Sequence, residues 1–415
     1  MRFFLQRFSK VLPSCFKDIL PILISMVFLG LAGGTLLGLA VLSTDTYGWS
    51  SSAYGFMMLG AGIMAAASNI YYPLLVYKRG QHLSTLPLSL GLSLMSILLI
   101  WGHDIYWVWL AYFAIAGFLA AVFYFLCEVK LVDITPPHER ARAFTLYFVA
   151  ITIGYAIGPY VVTFFGDQTL TYVLAPVSFM LAYWYMRHIR NNSVDVEKPS
   201  YAVMKKFLKK GRFIWAVCFI GGFAGETTTT FMGLFGLASG FNEDQSLLLI
   251  TIFLLGGFLQ YALSHWMDIS HKRVFALGLV LTAAFGSVAL LYTVSVGFWL
   301  VALIAFFWGA ICYTLAVAGL TLIGDLFAGQ ERVYAIALQA LFYNVGDIVG
   351  PVIVGAFMDL FGAPGFVYGF LLSAFVVFVF MLLPTKGQKF TATPYKIWGV
   401  HVLLPLHVVE HKEQK

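Results

Sequence analysis

Apolar stretches recur along the entire chain, each closed by charged or turn-forming residues. Their spacing predicts twelve helices, at 18–41, 53–77, 83–101, 106–129, 142–165, 169–189, 213–238, 246–268, 274–295, 298–322, 333–359 and 364–384. Each run is near the roughly 20 apolar residues needed to cross a hydrocarbon core about 30 Å thick. A helix is the form such a run must take, because lipid offers no hydrogen-bond partner to a backbone amide. One further apolar patch, Ile397 to Val409, contains His401, Pro405 and His407 and is too short to span. It reads as an interfacial segment. The first run is too long for a cleavable signal and precedes no small-residue cleavage site, so it counts as the first crossing.

Composition agrees. Of 415 residues, 60% are apolar and 11% charged, where a soluble chain is nearer half apolar and a quarter charged. A soluble enzyme, a nucleic-acid binder and a disordered scaffold are thereby excluded. The net charge of +6 needs no acidic partner once the basic residues are placed. With twelve crossings, all 25 lysines and arginines fall on alternate connections, at the two termini and in the stretch from Arg187 to Arg212. The opposite connections, around Asp45, Asp104, Asp167, Glu243 and Gly362, have none. The positive-inside rule then predicts a multi-pass protein of the plasma (inner) membrane with both termini in the cytoplasm. The organisation expected is a six-helix bundle over 1–190, a basic linker over 191–212, a second bundle over 213–384 and a cytoplasmic tail over 385–415. In the linker, Lys205, Lys206, Lys209 and Lys210 alternate with Met204, Phe207 and Leu208 at helical spacing. Such a helix would lie on the anionic inner leaflet, making the lipid bilayer itself a partner. Cys15, Cys127, Cys218 and Cys312 are scattered without metal or redox spacing and read as small buried hydrophobes. The histidines form no ligand cluster, so no metal is expected.

The two halves repeat. A shift of 192 carries Asp133, Glu139, Arg140, Gly154, Gly158, Pro159 and Asp167 onto Asp325, Glu331, Arg332, Gly346, Gly350, Pro351 and Asp359 without a gap. A shift of 191 places Gly30, Gly34, Thr35 and Asn69 on Gly221, Gly225, Glu226 and Gln260. An even number of crossings gives both copies the same orientation. Parallel repeats of this kind set two bundles about an axis along the membrane normal, with a cavity between them at mid-depth.

The segment Leu259 to Asp268 followed by Lys272 and Arg273 resembles the loop signature G-x-x-x-D-R-x-x-R-R of the major facilitator superfamily, with Ser264 for the glycine and Ile269 for the first arginine. The first-half copy keeps Lys78, Arg79 and Gly80 but has Tyr77 in place of the acid. The run Gly154 to Pro159 is similar to the fifth-helix motif of drug/proton antiporters, without the double glycine that follows there. Because it recurs at Gly346 to Pro351, it reads first as a packing device. The resemblance covers residues 18–384 and implies the major facilitator fold, an all-α membrane protein of twelve transmembrane helices in two pseudo-symmetric bundles. It further implies that helices 1, 4, 7 and 10 line the cavity, and that helix 8 of one half meets helix 5 of the other on the cytoplasmic side. Asp268, Lys272, Arg273, Arg140, Arg142, Arg332, Lys78 and Arg79 are then candidates for a latch there, with Asp268 held by the helix 5 N-terminus and Arg140.

Of 19 acids only Glu226 and Asp347 fall well inside predicted crossings. Glu226 lies about 21 Å along the seventh helix from Arg212, and Asp347 about 22 Å along the eleventh from Arg332, at about 1.5 Å per residue. A charged acid at the bilayer centre costs about 2.5–3.5 kcal/mol or more, so such a group is neutral, paired or bathed in cavity water. No basic residue inside a span is available to pair with them. A carboxyl that takes a proton on one side and releases it on the other is the minimum for proton coupling. A purely structural carboxyl bonded to nearby hydroxyls is the alternative. Glu128 sits towards the cytoplasmic end of the fourth helix with Lys130 beside it, and reads as one half of an interfacial ion pair.

The candidate substrate cavity comprises Thr35, Phe123, Tyr124, Tyr155, Thr230, Tyr313, Thr314 and Asn344. It is aromatic, acidic and free of cations, which disfavours anions. The function expected is secondary transport of a small neutral or cationic organic compound by a monomer working through alternating access, driven by a proton gradient and directed to efflux. No cofactor and no nucleotide-binding motif is present in the sequence. Uptake of a polar nutrient such as a sugar or siderophore is the runner-up. A non-transporting receptor or lipid scramblase on the same fold is the alternative of another class.

Overall fold

The computed structural model describes residues 13–79, 85–136, 140–166, 169–187, 208, 211–260, 263, 272–326, 330–382, 390–397 and 400–408. Among the described residues twelve α-helices follow one another: α1 (Phe16–Thr46), α2 (Ser51–Arg79), α3 (Thr85–Gly102), α4 (Tyr106–Ile134), α5 (Arg140–Phe165) and α6 (Thr169–Met186) make one bundle. The second bundle is α7 (Arg212–Ala238), α8 (Glu243–Gly256), α9 (Lys272–Thr293), α10 (Phe298–Leu326), α11 (Gln330–Phe361) and α12 (Ala363–Leu382). Among the described residues, 8 of these helices are by length and apolarity alone sufficient to cross a membrane. In α7 the apolar run is interrupted by Glu226 and four threonines, Thr227 to Thr230. The helices alternate in direction. The start of α1, the end of α6, the start of α7 and the end of α12 therefore share one face, here the linker face, and the short α1–α2, α7–α8 and α11–α12 turns lie on the opposite, far face.

Glycine sets the repeat. A Cβ on Gly154 of α5 would run into the carbonyl of Val27 of α1, and one on Gly346 of α11 into that of Phe219 of α7. Gly30 meets Ile151, and Gly222 meets Tyr343, in the same way. In the next pair of helices Gly117 of α4 abuts the Ala61 carbonyl of α2, and Gly309 of α10 the Phe253 carbonyl of α8. Every residue in the second contact of each pair is 192 beyond its mate. This corrects the offset of 191 expected for the first two helices of each half. The packing equivalent of Gly30 is Gly222, and Glu226 corresponds to Gly34, not to Thr35. The far-face turns keep the same register. Gly48 and Gly240 both have positive φ, +64° and +86°, which a side chain rarely tolerates. Each permits a bond back across the helix end, Trp49 N–H to the Thr44 carbonyl at 2.9 Å and Phe241 N–H to Gly236 at 3.1 Å.

The bundles meet through α2 with α11, α5 with α8 and α1 with α7. Close approaches lie in the far-face half: Gly55 faces the Pro351 carbonyl, and Gly355 faces the backbone of Ser51 and Ser52. Thr251 Oγ1 of α8 donates to the Ala156 carbonyl of α5 at 2.9 Å.

Two elements differ from the sequence reading. The eighth helix does not run unbroken to 268: after Gly256 a 3-10 turn occupies Gly257–Leu259. Two adjacent glycines sit where α10 presses in, with the Phe306 carbonyl against Gly256 and the Tyr313 ring against Gly257. In the tail, β1 (Phe390–Ile397) pairs antiparallel with β2 (Val400–Val408), Ile397 opposite Val400, so the backbone of the patch expected at the interface is one strand of a hairpin. The basic amphipathic linker lies almost wholly outside the described residues.

Candidate functional site

Five helices bring ionisable side chains to one place at mid-depth. The repeat explains the arrangement. At Gly34 of α1 a Cβ would point at the Tyr155 carbonyl of α5. The equivalent position on α7 is Glu226, and the equivalent of Tyr155 is Asp347 on α11. The glycine contact of one half thus becomes, in the other, two carboxyls that feel each other's charge. Neither has a basic neighbour acting on it among the described residues. Both are half-buried, so each keeps part of its surface open.

Tyrosines surround the pair. Tyr155 of α5 lies within electrostatic range of both carboxyls, with Tyr124 of α4 beside it. Tyr313 of α10 lies within electrostatic range of Glu226, and its hydroxyl is 3.2 Å from Thr229 Oγ1. Tyr343 of α11 also faces both acids. All four tyrosines are half-buried, as is Asn344. On the far-face side the rings of Tyr54 (α2) and Phe231 (α7) pack edge to face at 5.4 Å, across the two bundles. Phe231 is about 7 Å beyond Glu226 along α7 at about 1.5 Å per residue.

Of the residues proposed from sequence, Glu226, Asp347, Tyr124, Tyr155 and Tyr313 converge, and Asn344 lies one turn from Asp347 on α11. Four do not reach the site's open surface. Thr35 is fully buried and returns its hydroxyl to the Leu31 carbonyl at 2.7 Å. Thr314 is likewise buried and donates to Ala310 at 2.6 Å. Phe123 is core, and Thr230 is buried. The physical reason for Thr35 is the register: it is Gly34 that takes the position of Glu226. Tyr343 and Thr229 were not anticipated. Both were findable, since Tyr343 precedes Asp347 by one helical turn and Thr229 follows Glu226 by about one.

Glu128 has no ion pair among the described residues. Lys130 is two residues on, and positions i and i+2 of a helix do not face each other. The Tyr147 hydroxyl of α5 lies within electrostatic range of Glu128. The latch expected on the linker face cannot be described: Asp268 lies outside the described residues, as do the side chains of Lys272, Arg273, Arg140, Arg142, Arg332, Lys78 and Arg79. The far face holds a different link. Asp359, near the end of α11, accepts from the backbone N–H of Ser51 at 2.7 Å and of Ser52 at 3.0 Å, capping α2 of the opposite bundle.

Two parallel six-helix repeats with a pair of carboxyls at mid-depth are the arrangement to be compared with known membrane proteins. The model of the Major Facilitator Superfamily matches residues 22–268 and 239–394, and the chain belongs to that family. It is accordingly a multi-pass membrane transporter of a small molecule, not an enzyme. Its fold is similar to the crystal structure of the nucleoside transporter NupG, with TM-score 0.66 and 14% identity over 88% of this chain and 97% of that one. It is also similar to that of a D-xylose-proton symporter, with TM-score 0.65 and 13% identity over 90% and 98%. A bacterial homologue of the human lysosomal transporter Spinster, in an inward-facing and occupied conformation, gives TM-score 0.64 and 13% identity over 88% and 94%. No curated protein matches by sequence.

Proposed function

We propose that the protein is a proton-coupled secondary transporter that moves a neutral or cationic organic compound by alternating access, as a monomer with both termini in the cytoplasm, in the direction of efflux. The observation that carries this reading is the facing pair Glu226–Asp347. Two negative charges within electrostatic range of each other repel, and the more strongly the less water lies between them. A proton or a cationic group between them relieves that repulsion, so the two compete for one place. Competition of this kind is what an antiporter requires. The half-buried faces of Tyr124, Tyr155, Tyr313 and Tyr343 supply apolar area, and a cation bound among them also gains from the ring quadrupoles.

A second reading, proton-coupled uptake of a polar ring compound, is favoured by the hydroxyls of the same tyrosines together with Thr229 and Asn344. The similar structures named for nucleoside and D-xylose transport share the fold only. Proteoliposomes with an imposed pH gradient, loaded inside or outside with lipophilic cations, sugars and nucleosides in turn, separate the readings. Efflux predicts cation movement opposite to the proton flow; uptake predicts a polar compound moving with it. No solute movement and no proton flux with any compound would leave a receptor or scramblase role.

A further inference from the structure

The hydrogen bonds beside Glu226 have a fixed direction. Thr229 Oγ1 lies 2.8 Å from the Gly225 carbonyl oxygen, which can only accept, so the threonine proton points there. A hydroxyl has one proton and two lone pairs. In the 3.2 Å contact between Thr229 Oγ1 and the Tyr313 hydroxyl, Tyr313 is therefore the donor and Thr229 the acceptor. With its proton placed there, the Tyr313 oxygen offers only lone pairs to a third group.

That oxygen is held in position. A Cβ on Gly257 would come within 2.9 Å of the Tyr313 ring, at the point where α8 gives way to a 3-10 turn. The Phe253 ring packs against it with centroids 5.8 Å apart. On α7, Glu226 and Thr229 are three residues apart and share a face, so the bond to Thr229 keeps the Tyr313 hydroxyl beside the turn that carries the carboxyl. From Ile220 to Gly236, Glu226 is the one residue of α7 that is not buried, and Tyr313 is half-buried, so both keep surface for a ligand. Packing of the repeat does not require this arrangement. The mates of Thr229, Gly257 and Tyr313, 192 residues earlier, are Leu37, Ala65 and Ala121, and that of Glu226 is Gly34. The hydroxyls are present in the half that has the carboxyl and missing at the equivalent positions of the half that lacks it.

We propose that Glu226 and the Tyr313 oxygen form an acceptor-only subsite that selects a primary or secondary ammonium group on the substrate. This rests on the cationic-substrate reading above and narrows it. An ammonium with at least two N–H bonds gives one to the carboxylate and another to the phenol oxygen. A quaternary ammonium has the same charge but no N–H, leaves both acceptors unpaired and keeps only the Coulomb and ring attraction. Thr229 acts through Tyr313 as a positioning residue, because it keeps the tyrosine proton turned away from the ligand.

The test is calorimetric binding to the full-length protein in lipid nanodiscs. The probes share one body: phenylpropylamine and its N-methyl, N,N-dimethyl and N,N,N-trimethyl forms, all cations near neutral pH. The primary and secondary amines are expected to bind at least about tenfold more tightly than the quaternary form. Tyr313→Phe should bring that ratio below about threefold. Thr229→Val frees the tyrosine proton to turn towards the ligand and should narrow the ratio as well, whereas Thr229→Ser keeps the acceptor and should restore it. A quaternary form that binds the native protein as tightly as the primary amine would overturn the proposal. So would a native ratio in Tyr313→Phe with all probes weakened alike, the mark of a merely structural role. Binding of none of the amines to the native protein would overturn the cationic reading itself, a result distinct from both.

Discussion

The carboxylate of Asp359 accepts the backbone N–H of Ser51 at 2.7 Å, so the first turn of α2 is capped by a residue of the other bundle. The equivalent helix start is capped locally. Asn242 accepts Gln245 N–H at 2.8 Å, and the Gln245 side chain returns the bond. Its mate 192 residues earlier, Ser50, accepts the Ala53 N–H with its hydroxyl at 3.1 Å, leaving the amides of Ser51 and Ser52 to Asp359. A helix start that depends on the opposite bundle must lose its cap when the bundles separate on that side.

Asp359→Ala should therefore favour the state open on the far face. A cap is worth about 1 kcal/mol, a population change of about fivefold. Labelling of single cysteines near Ser51 by a membrane-impermeant reagent reads it directly. Asn242→Ala should lower thermal stability by a similar amount and leave that labelling unchanged, because its cap stays within one bundle.

The glycine contacts predict paired effects. Gly117→Ala and Gly309→Ala each force a methyl onto a neighbouring carbonyl and should cost about 1–3 kcal/mol each. The sites are in different halves and share no partner, so the double variant should cost about the sum. Gly278 has open space around it, and Gly278→Ala should be neutral or stabilising by up to about 1 kcal/mol. Thermal unfolding in one detergent ranks all four.

Tyr313→Phe removes the hydroxyl that meets Thr229 but keeps the ring. Thr229 retains its bond to the Gly225 carbonyl at 2.8 Å, so stability should barely change. A loss of about 1 kcal/mol in substrate affinity, about fivefold in half-saturation, is expected if that hydroxyl faces the substrate. Transport kinetics across a substrate concentration series measure it.

Most of the architecture was legible because lipid leaves a chain so few choices: the twelve runs could only be helices, and the duplicated Gly154–Pro159 and Gly346–Pro351 segments fixed the symmetry. The offset error in the first two helices arose because Gly30, Gly33 and Gly34 align about equally well with Gly221, Gly222 and Gly225; only the carbonyl each glycine meets decides. The same ambiguity put Thr35 in the cavity. Glu226 and Asp347 were visible as isolated acids in apolar helices, but that they face each other depends on how α7 and α11 are rotated. Asp359 was visible as a repeat identity with Asp167, yet nothing in sequence tells a loop acid from a cap across the bundle interface. The Gly256–Gly257 break in the eighth helix was masked by apolar residues on either side.

The central claim is that Glu226 and Asp347 act as one proton-accepting pair. Transport in proteoliposomes with and without a pH gradient, for the native protein, Glu226→Gln and Asp347→Asn, tests it most directly. Loss of gradient-driven transport in both variants, with gradient-independent exchange of substrate retained, is the result predicted. Gradient-driven transport at the native rate and with native pH dependence in Glu226→Gln would contradict it.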